Sequence, residues 1–401
     1  MKKTSYTKLL VTLIVIGIQT NLFAQWTQLN SGTTEDLNGV FFLTENIGYV
    51  VGNNGTVLRT YDHGDSWLPL NAGVSNDLNG ILFSDGKIGF IIGDSGLLLR
   101  TYDGGNDWAL YTTGTTDNLN NIQFPKNDST NQPKVTGNTV LVIPDSSGNW
   151  SSLQIISDST DTIRSLCFLD RDIGFVVGSN QSLYKTEDGG SSWIYMGGQV
   201  TGDLYDIDFS SFQNGFIVGT DDLFYSVDSG INWNGSNMNL SRTLKAVDFL
   251  DNLHGLAAGN GIILPTKDGG NNWSIDTTTT TESLNDIYYS NNGAFIVGNN
   301  GLILRNDNLP VGISDINNKK HLQIYPNPTT GRFTLEIDLK ENTELSIKLY
   351  HFTGQLIHSE DIGNVTGNYT QQMDLGRYAK GIYYVQIITD TGVITKKVIY
   401  Q

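Results

Sequence analysis

The sequence predicts an all-β protein: a seven-bladed β-propeller followed by a small Ig-like β-sandwich. Three observations carry this. Tryptophan occurs at 26, 67, 108, 150, 193, 233 and 273 and nowhere else, at spacings of 41, 41, 42, 43, 40 and 40 residues; a period of about 40 to 45 with several short strands per unit fits a propeller blade. Each unit holds four short stretches rich in Val, Ile, Phe and Tyr, separated by Gly, Asn and Asp turns, as antiparallel strands joined by hairpins are. After residue 308 the repeat stops and a different composition begins.

In chain order, residues 1–24 come first. They join a basic start (Lys2, Lys3, Lys8) to an apolar run over residues 9–18 and close on Leu22, Phe23 and Ala24. This is the layout of a secretory signal peptide, and its apolar run is too short for the roughly 20 residues a spanning helix needs. The only cysteine is Cys167, so no residue is placed to carry a lipid anchor. Cleavage after Ala24 and a mature chain with no transmembrane segment are expected.

Residues 25–308 are expected to form the propeller. After each Trp comes a short strand, then a polar loop, then an alternating apolar stretch: 37–42, 78–83, 119–124, 163–168, 204–209, 244–249 and 284–289. A compact run ending in Gly follows, as in Gly48–Gly52 and Gly174–Gly178, and then a third strand such as that ending at Arg59. The chain enters on Trp26-Thr-Gln-Leu, which matches the segment after every later Trp, whereas the seventh unit stops near Asn306 without one. The N-terminal strand is therefore expected to complete the last blade from outside, since an open end would leave an unpaired edge.

Before most Trp residues runs the pattern Ser/Thr-x-Asp-x-Gly-x-x-Trp, with the carboxylates Asp62, Asp103, Asp188, Asp228 and Asp268; Asp145 keeps the acid but has Ser147 in place of the Gly. A hairpin turn explains this set: the Asp accepts backbone N–H bonds and the Gly takes a positive φ. One carboxylate per blade spreads them around the rim, so they are structural rather than catalytic or metal-binding.

The turn is that of the Asp box of bacterial neuraminidase repeats, and the whole unit resembles the photosystem II assembly and stability factor family of seven-bladed propellers. That resemblance implies the fold and, more weakly, an assembly role through a basic docking surface. Residues 25–318 carry 12 basic and 33 acidic side chains, which does not favour such a basic patch here. The turn Asp residues account for only part of the acidic excess.

Residues 309–320 read as a linker and residues 321–401 as a second domain, with strands expected over 322–325, 332–339, 344–350, 355–361, 368–374, 381–389 and 393–400. Its motifs are Tyr325-Pro326-Asn327-Pro328, Gly354-Gln355, Gly381-Ile382-Tyr383-Tyr384 and Lys396-Lys397. They resemble the type A C-terminal sorting domain of type IX secretion in Bacteroidetes. The resemblance implies export through the periplasm, recognition by the type IX machinery, and removal of the domain with release or attachment at the cell surface.

Composition excludes much else. The 401 residues carry a formal net charge of -17, which disfavours nucleic acid and anionic membrane surfaces as partners. One thiol excludes a disulfide scaffold, the five His show no ligand spacing, and no phosphate-binding loop occurs, so neither cofactor nor metal is expected. Three of the propeller's Arg (Arg59, Arg100, Arg305) hold the same position in different units, unlike the converging arginines a sialidase needs. The feature left is broken symmetry. The second residue of each alternating stretch is Asn38, Asn79, Asn120, Arg164, Tyr205, Lys245 and Asn285, and Arg164, Tyr205 and Lys245 stand side by side as candidates for contact with a surface protein or glycan. The expected function is a secreted or cell-surface, non-enzymatic binding or scaffold protein, with a sialidase-like hydrolase and an envelope assembly factor as alternatives.

Overall fold

The computed structural model describes residues 26–126, 132–145, 147–157, 160–220, 222–236, 238, 240–276, 280–309, 322–351, 356–389 and 392–401. The leader expected over 1–24 and Gly354 lie outside them, as does the linker expected over 309–320 except for Leu309. Among the described residues, regular structure is strand apart from two 3₁₀ turns, Gly197–Gln199 and Asn299–Gly301.

Seven sheets of three or four antiparallel strands form from residues 27–306. Their innermost strands are Leu37–Phe42, Leu78–Phe83, Leu119–Gln123, Ile163–Phe168, Leu204–Phe209, Leu244–Phe249 and Leu284–Ser290; we number the blades 1 to 7 in this order. Each innermost strand lies against the next, and that of blade 7 returns to that of blade 1. The ring is closed as a strand swap: Thr27–Leu29 is the outermost strand of blade 7, pairing Thr27 with Arg305 and Leu29 with Ile303. Trp26 adds a tie to blade 6, its indole N–H donating to Asp276 Oδ2 at 3.0 Å.

Local chemistry explains why the units other than blade 3 close the inner strand on Phe or Tyr, one residue before its end in blade 7, and start the second strand on Gly. In blade 4 the Phe168 ring covers Gly174 so closely that a Cβ there would lie 2.5 Å from it. At the other end of the second strand, a Cβ on Gly178 would sit 2.0 Å from the Thr162 carbonyl oxygen. The Trp then stands edge-on to the inner-strand ring: Phe42–Trp67, Phe168–Trp193 and Phe249–Trp273 have centroids 6.1, 6.1 and 5.8 Å apart at 83–84°, a favourable arrangement of aromatic quadrupoles. Among the described residues, blade 6 has only three laddered strands. Its third strand contains Pro265, which has no N–H to give a fourth strand, and the following chain attaches through Ser274 N–H to Pro265 O and Asp276 N–H to Ile263 O.

The C-terminal residues form a separate five-stranded sheet: Leu322–Tyr325, Arg332–His351, Leu356–Asp374, Gly381–Thr389 and Gly392–Tyr400. This corrects the expectation of seven short strands. Residues 332–339 and 344–350 are one continuous strand, and the two strands expected over 355–374 are another. The interruptions read from the sequence are absorbed as register shifts, between Leu339 and Thr343 and between Leu345 and Ser346. Alternate residues Phe333, Leu335, Ile337, Leu345, Ile347 and Leu349 fill one buried core with Tyr383, Val385, Ile387 and Val398, and Thr329 bridges to Tyr400 so that the sheet nearly closes on itself.

Candidate functional site

The site is built from one recurrent irregularity. In all seven inner strands the ladder shifts register at the second residue, and a bulge there re-aims that side chain. The second residue of each strand lines one mouth of the central channel, and the third to fifth residues line its wall. The resulting cavity of ≈ 570 Å³ includes Asn38, Asn79, Asn120, Arg164, Tyr205, Lys245 and Asn285.

Four blades use this position as an inter-blade latch. The Asn79 amide donates to Leu119 O in blade 3 at 2.9 Å and to Asp94 Oδ1 in its own blade at 2.9 Å; Asn38, Asn120 and Asn285 repeat the pair, reaching Leu78 O, Ile163 O and Leu37 O. Asn79→Ala is expected to cost about 1–2 kcal/mol, the loss of a part-buried donor pair, measured as a fall in the urea unfolding midpoint with unchanged slope.

Blades 4 to 6 depart from the latch. Arg164 keeps half of it, donating from Nη1 to Leu204 O at 3.1 Å, while Nη2 pairs with Asp203 Oδ2 at 3.1 Å and the guanidinium lies 4.3 Å from the centroid of the Tyr205 ring. Among the described residues Lys245 Nζ reaches only Asn285 Oδ1, at 3.2 Å, and burial pulls its pKa down. The three residues thus share one stretch of the mouth, with Arg164 and Tyr205 stacked and Lys245 one blade further on.

Below the mouth lies a feature that sequence reasoning missed. Asp206, Asp208, Asp248 and Asp286 line the wall of blades 5 to 7, where the strands of blades 1 and 2 present Phe41 and Leu82. Each carboxylate accepts an N–H from the exposed edge of the next inner strand: Asp206 from Val247, Asp208 from Phe249, Asp248 from Tyr289 and Asp286 from Val40, at 2.8–2.9 Å. Gln123 does the same for Phe168 N–H at 2.8 Å. Inner strands pair on one side only, so these acceptors satisfy donors that would otherwise be buried unpaired. Burial pushes Asp206 up to about 6 and Asp248 up to about 7, the latter helped by the charge of Asp208, and lifts Asp286 well above 3.8. The signal was available: these acids replace Gly39, Gly80 and Leu82 of the other units, and they supply acidic excess that the turn Asp residues leave unexplained.

Lys126, just past the inner strand of blade 3, passes blade 4 to meet Asp208 Oδ1 at 2.6 Å and Phe209 O at 2.5 Å. Burial opposes its charge, but Asp208 outweighs this and the ammonium pKa is raised. Cys167 is fully buried, with its thiol pushed up to about 12 by that burial. It is an inert packing residue rather than a nucleophile.

The turn carboxylates stay in their own blades. Asp188 takes the Thr186 hydroxyl at 2.8 Å and Ser192 N–H at 2.8 Å, with Gly190 at φ 98°. Asp62, Asp103, Asp228 and Asp268 repeat this geometry. Asp145 holds its turn through Ser147 and Asn149 N–H. The Ser66 and Ser192 hydroxyls and amides hold Asp62 and Asp188 down to about 2. Arg59 and Arg305 each clamp the next blade's turn, Arg59 at Gly104 O and Asn106, Arg305 at His63 O and Asp65. Among the described residues no group of three or more His, Cys, Asp or Glu is arranged to hold a metal ion.

In the C-terminal sheet, Pro326 and Pro328 flank Asn327, whose Oδ1 accepts Ile399 N–H at 2.9 Å. Gly381 pairs with Tyr400, and Lys396 and Lys397 pair with Val385 and Tyr384. The Lys396 side chain is exposed.

Comparison with known proteins follows these two parts. Residues 18–127, 198–274 and 229–330 match the photosynthesis system II assembly factor YCF48 family, and residues 323–401 match the secretion system C-terminal sorting domain. No curated protein matches the chain significantly. Among solved structures, YCF48 bound to D1 peptide is 22% identical with a TM-score of 0.59, covering 70% of this chain and 96% of its own. YCF48 from Cyanidioschyzon merolae is 19% identical with a TM-score of 0.57, covering 70% and 98%. PorZ, a surface component of the type-IX secretion system of Porphyromonas gingivalis, is 15% identical with a TM-score of 0.51, covering 89% and 58%. At these identities the structures speak for fold alone. The family match extends over more than half the chain: this protein belongs to the photosynthesis system II assembly factor YCF48 family and carries a secretion system sorting domain that directs its export to the cell surface or beyond.

Proposed function

We propose that the propeller is a non-enzymatic binding module, and that its partner, a surface protein or a glycan, docks at the channel mouth on Arg164, Tyr205 and Lys245. The observation that carries this reading is the selective loss of the Asn latch. Four blades spend the position on holding the ring together, whereas three adjacent blades place there a stacked Arg–Tyr pair and a Lys, side-chain types suited to partner contact. A hydrolase finds less support, because Arg59 and Arg305 are committed to clamping neighbouring turns and Cys167 is sealed. Delivery rests on removal of residues 1–24 at the inner membrane, recognition of residues 321–401 by the type IX machinery, and cleavage within 309–320.

A second reading, assembly of an envelope protein complex, is favoured by family membership and by the similar structure described as bound to a D1 peptide. It shares the mouth but makes the partner a protein.

The repeat itself supplies the test. Arg164→Asn, Tyr205→Asn and Lys245→Asn together restore the residue of blades 1, 2, 3 and 7, so the variant is expected to fold, with its melting temperature within a few degrees of wild type. Affinity capture from the cell surface should recover the partner with wild type and lose at least tenfold of it with the variant. Equal recovery would place the partner elsewhere.

A further inference from the structure

Blades 5 and 6 leave a gap at the rim. The outermost strand of blade 5 is only Asn234–Gly235, as short as Ile194–Tyr195 of blade 4, where blades 1 and 2 place Leu68–Asn71 and Ala109–Tyr111. Among the described residues blade 6 has no fourth laddered strand, for the Pro265 reason above. Between them lies a cavity of ≈ 710 Å³ lined by Phe216, Tyr225, Trp273, Asn214, Asn252 and Asp268, among others.

Its chemistry is selective. Phe216 and Phe249 hold the Trp273 ring edge-on at 6.1 and 5.8 Å, and Trp273 and Tyr225 are each only half-buried. The lining contains no Lys, Arg or His. Its one acid, Asp268, is already engaged: Oδ1 takes the Thr266 hydroxyl and Asn272 N–H, and Oδ2 takes the Asn272 amide at 2.7 Å. Asp268 carries the lining's one formal charge, and it is negative, so an anionic ligand would enter without a counter-charge, at the cost of its hydration. By contrast, the side-chain amides of Asn214 and Asn252 make no hydrogen bond among the described residues, and each offers both donor and acceptor. Rigid aromatic faces beside free amides, with no cation to offer, suit a ring that is apolar on its C–H face and hydroxylated at its edge.

We propose that this rim pocket binds a neutral saccharide. The site is separate from the channel mouth and depends on blades 5 and 6 alone, so it stands or falls independently of the partner proposed above. Export to the cell surface puts it where saccharides are met.

The test is saturation-transfer NMR on the mature full-length chain with maltose, cellobiose, lactose and N,N′-diacetylchitobiose. Transfer to the ring protons of at least one disaccharide is expected, with Kd raised fivefold or more by Asn252→Ala, a change on an exposed loop that leaves the melting temperature unaltered. The Arg164→Asn, Tyr205→Asn, Lys245→Asn variant is expected to bind as wild type. The proposal fails if none of the four gives transfer, if Asn252→Ala shifts Kd by less than fivefold, or if the mouth variant abolishes binding.

Discussion

Gly178→Ala is expected to destabilise the propeller by about 3–5 kcal/mol, among the larger effects a single methyl can have. The added Cβ would lie 2.0 Å from the Thr162 carbonyl oxygen, and that oxygen cannot retreat because it accepts Ser179 N–H at 2.9 Å. The same contact recurs at Gly52, Gly93, Gly219, Gly259 and Gly298, at 2.0–2.6 Å from the carbonyl that precedes each inner strand. The effect is thus one of the blade's own geometry and not of one site. Gly198→Ala is the matched control: nothing lies within 4 Å of its Cβ, and a change of less than about 0.5 kcal/mol is expected. Urea unfolding of the two variants side by side decides the matter; equal midpoints would show that the carbonyl contact is not what selects glycine.

Stability is also expected to fall as pH rises from about 5 to about 8. Asp206 goes from 3.8 to about 6 on folding and Asp248 to about 7, chiefly through burial. Groups raised in this way bind protons more tightly when folded, so their contribution is complete below about 4 and is lost as pH climbs through 6 and 7. The shift of Asp206 alone corresponds to roughly 3 kcal/mol. Below about 4 the trend reverses, because Asp62 and Asp188, held down to about 2, lose stabilising hydrogen bonds as they protonate. The expected profile is a maximum near pH 4–5, with a melting temperature about 5–10 °C lower at pH 8 than at pH 5. Asp206→Asn combined with Asp248→Asn keeps an acceptor oxygen for Val247 and Tyr289 N–H while removing the buried charge, and should flatten the alkaline limb. A double variant that retained the full slope would assign it to other groups.

The sequence made the ring legible because tryptophan is rare and its partners are obligatory. Trp67, Trp108, Trp193, Trp233 and Trp273 each stand edge-on to a Phe of the inner strand, that ring needs a bare Gly beneath it, and the turn between needs its Asp, so the whole unit repeats together. Arg164, Tyr205 and Lys245 were visible for the same reason, as departures from a repeated Asn. What that Asn does was not visible, since its acceptors at Leu78, Leu119, Ile163 and Leu37 lie in the next blade. The acidic wall was hidden likewise. Asp206 and Asp286 sit in alternating stretches where a polar residue ordinarily marks a solvated face; only the closed ring shows that they face a channel and feed the next strand's N–H groups. Lys126 was harder still, because its carboxylate is 82 positions away. In the C-terminal domain, Gly363 and Gly367 look like chain breaks but take φ of 83° and 82° within one long strand, so turn chemistry in the sequence became bulges in the structure.

On the proposed function, the exported ring meets its partner at the mouth formed by blades 4 to 6. The direct measurement is site-specific photocrosslinking on intact cells, with a benzophenone side chain at position 205 and, separately, at position 110, where Leu110 is exposed on the outer strand of blade 2. A discrete adduct is expected from position 205 and none from position 110. An adduct from position 110 with none from position 205 would contradict it.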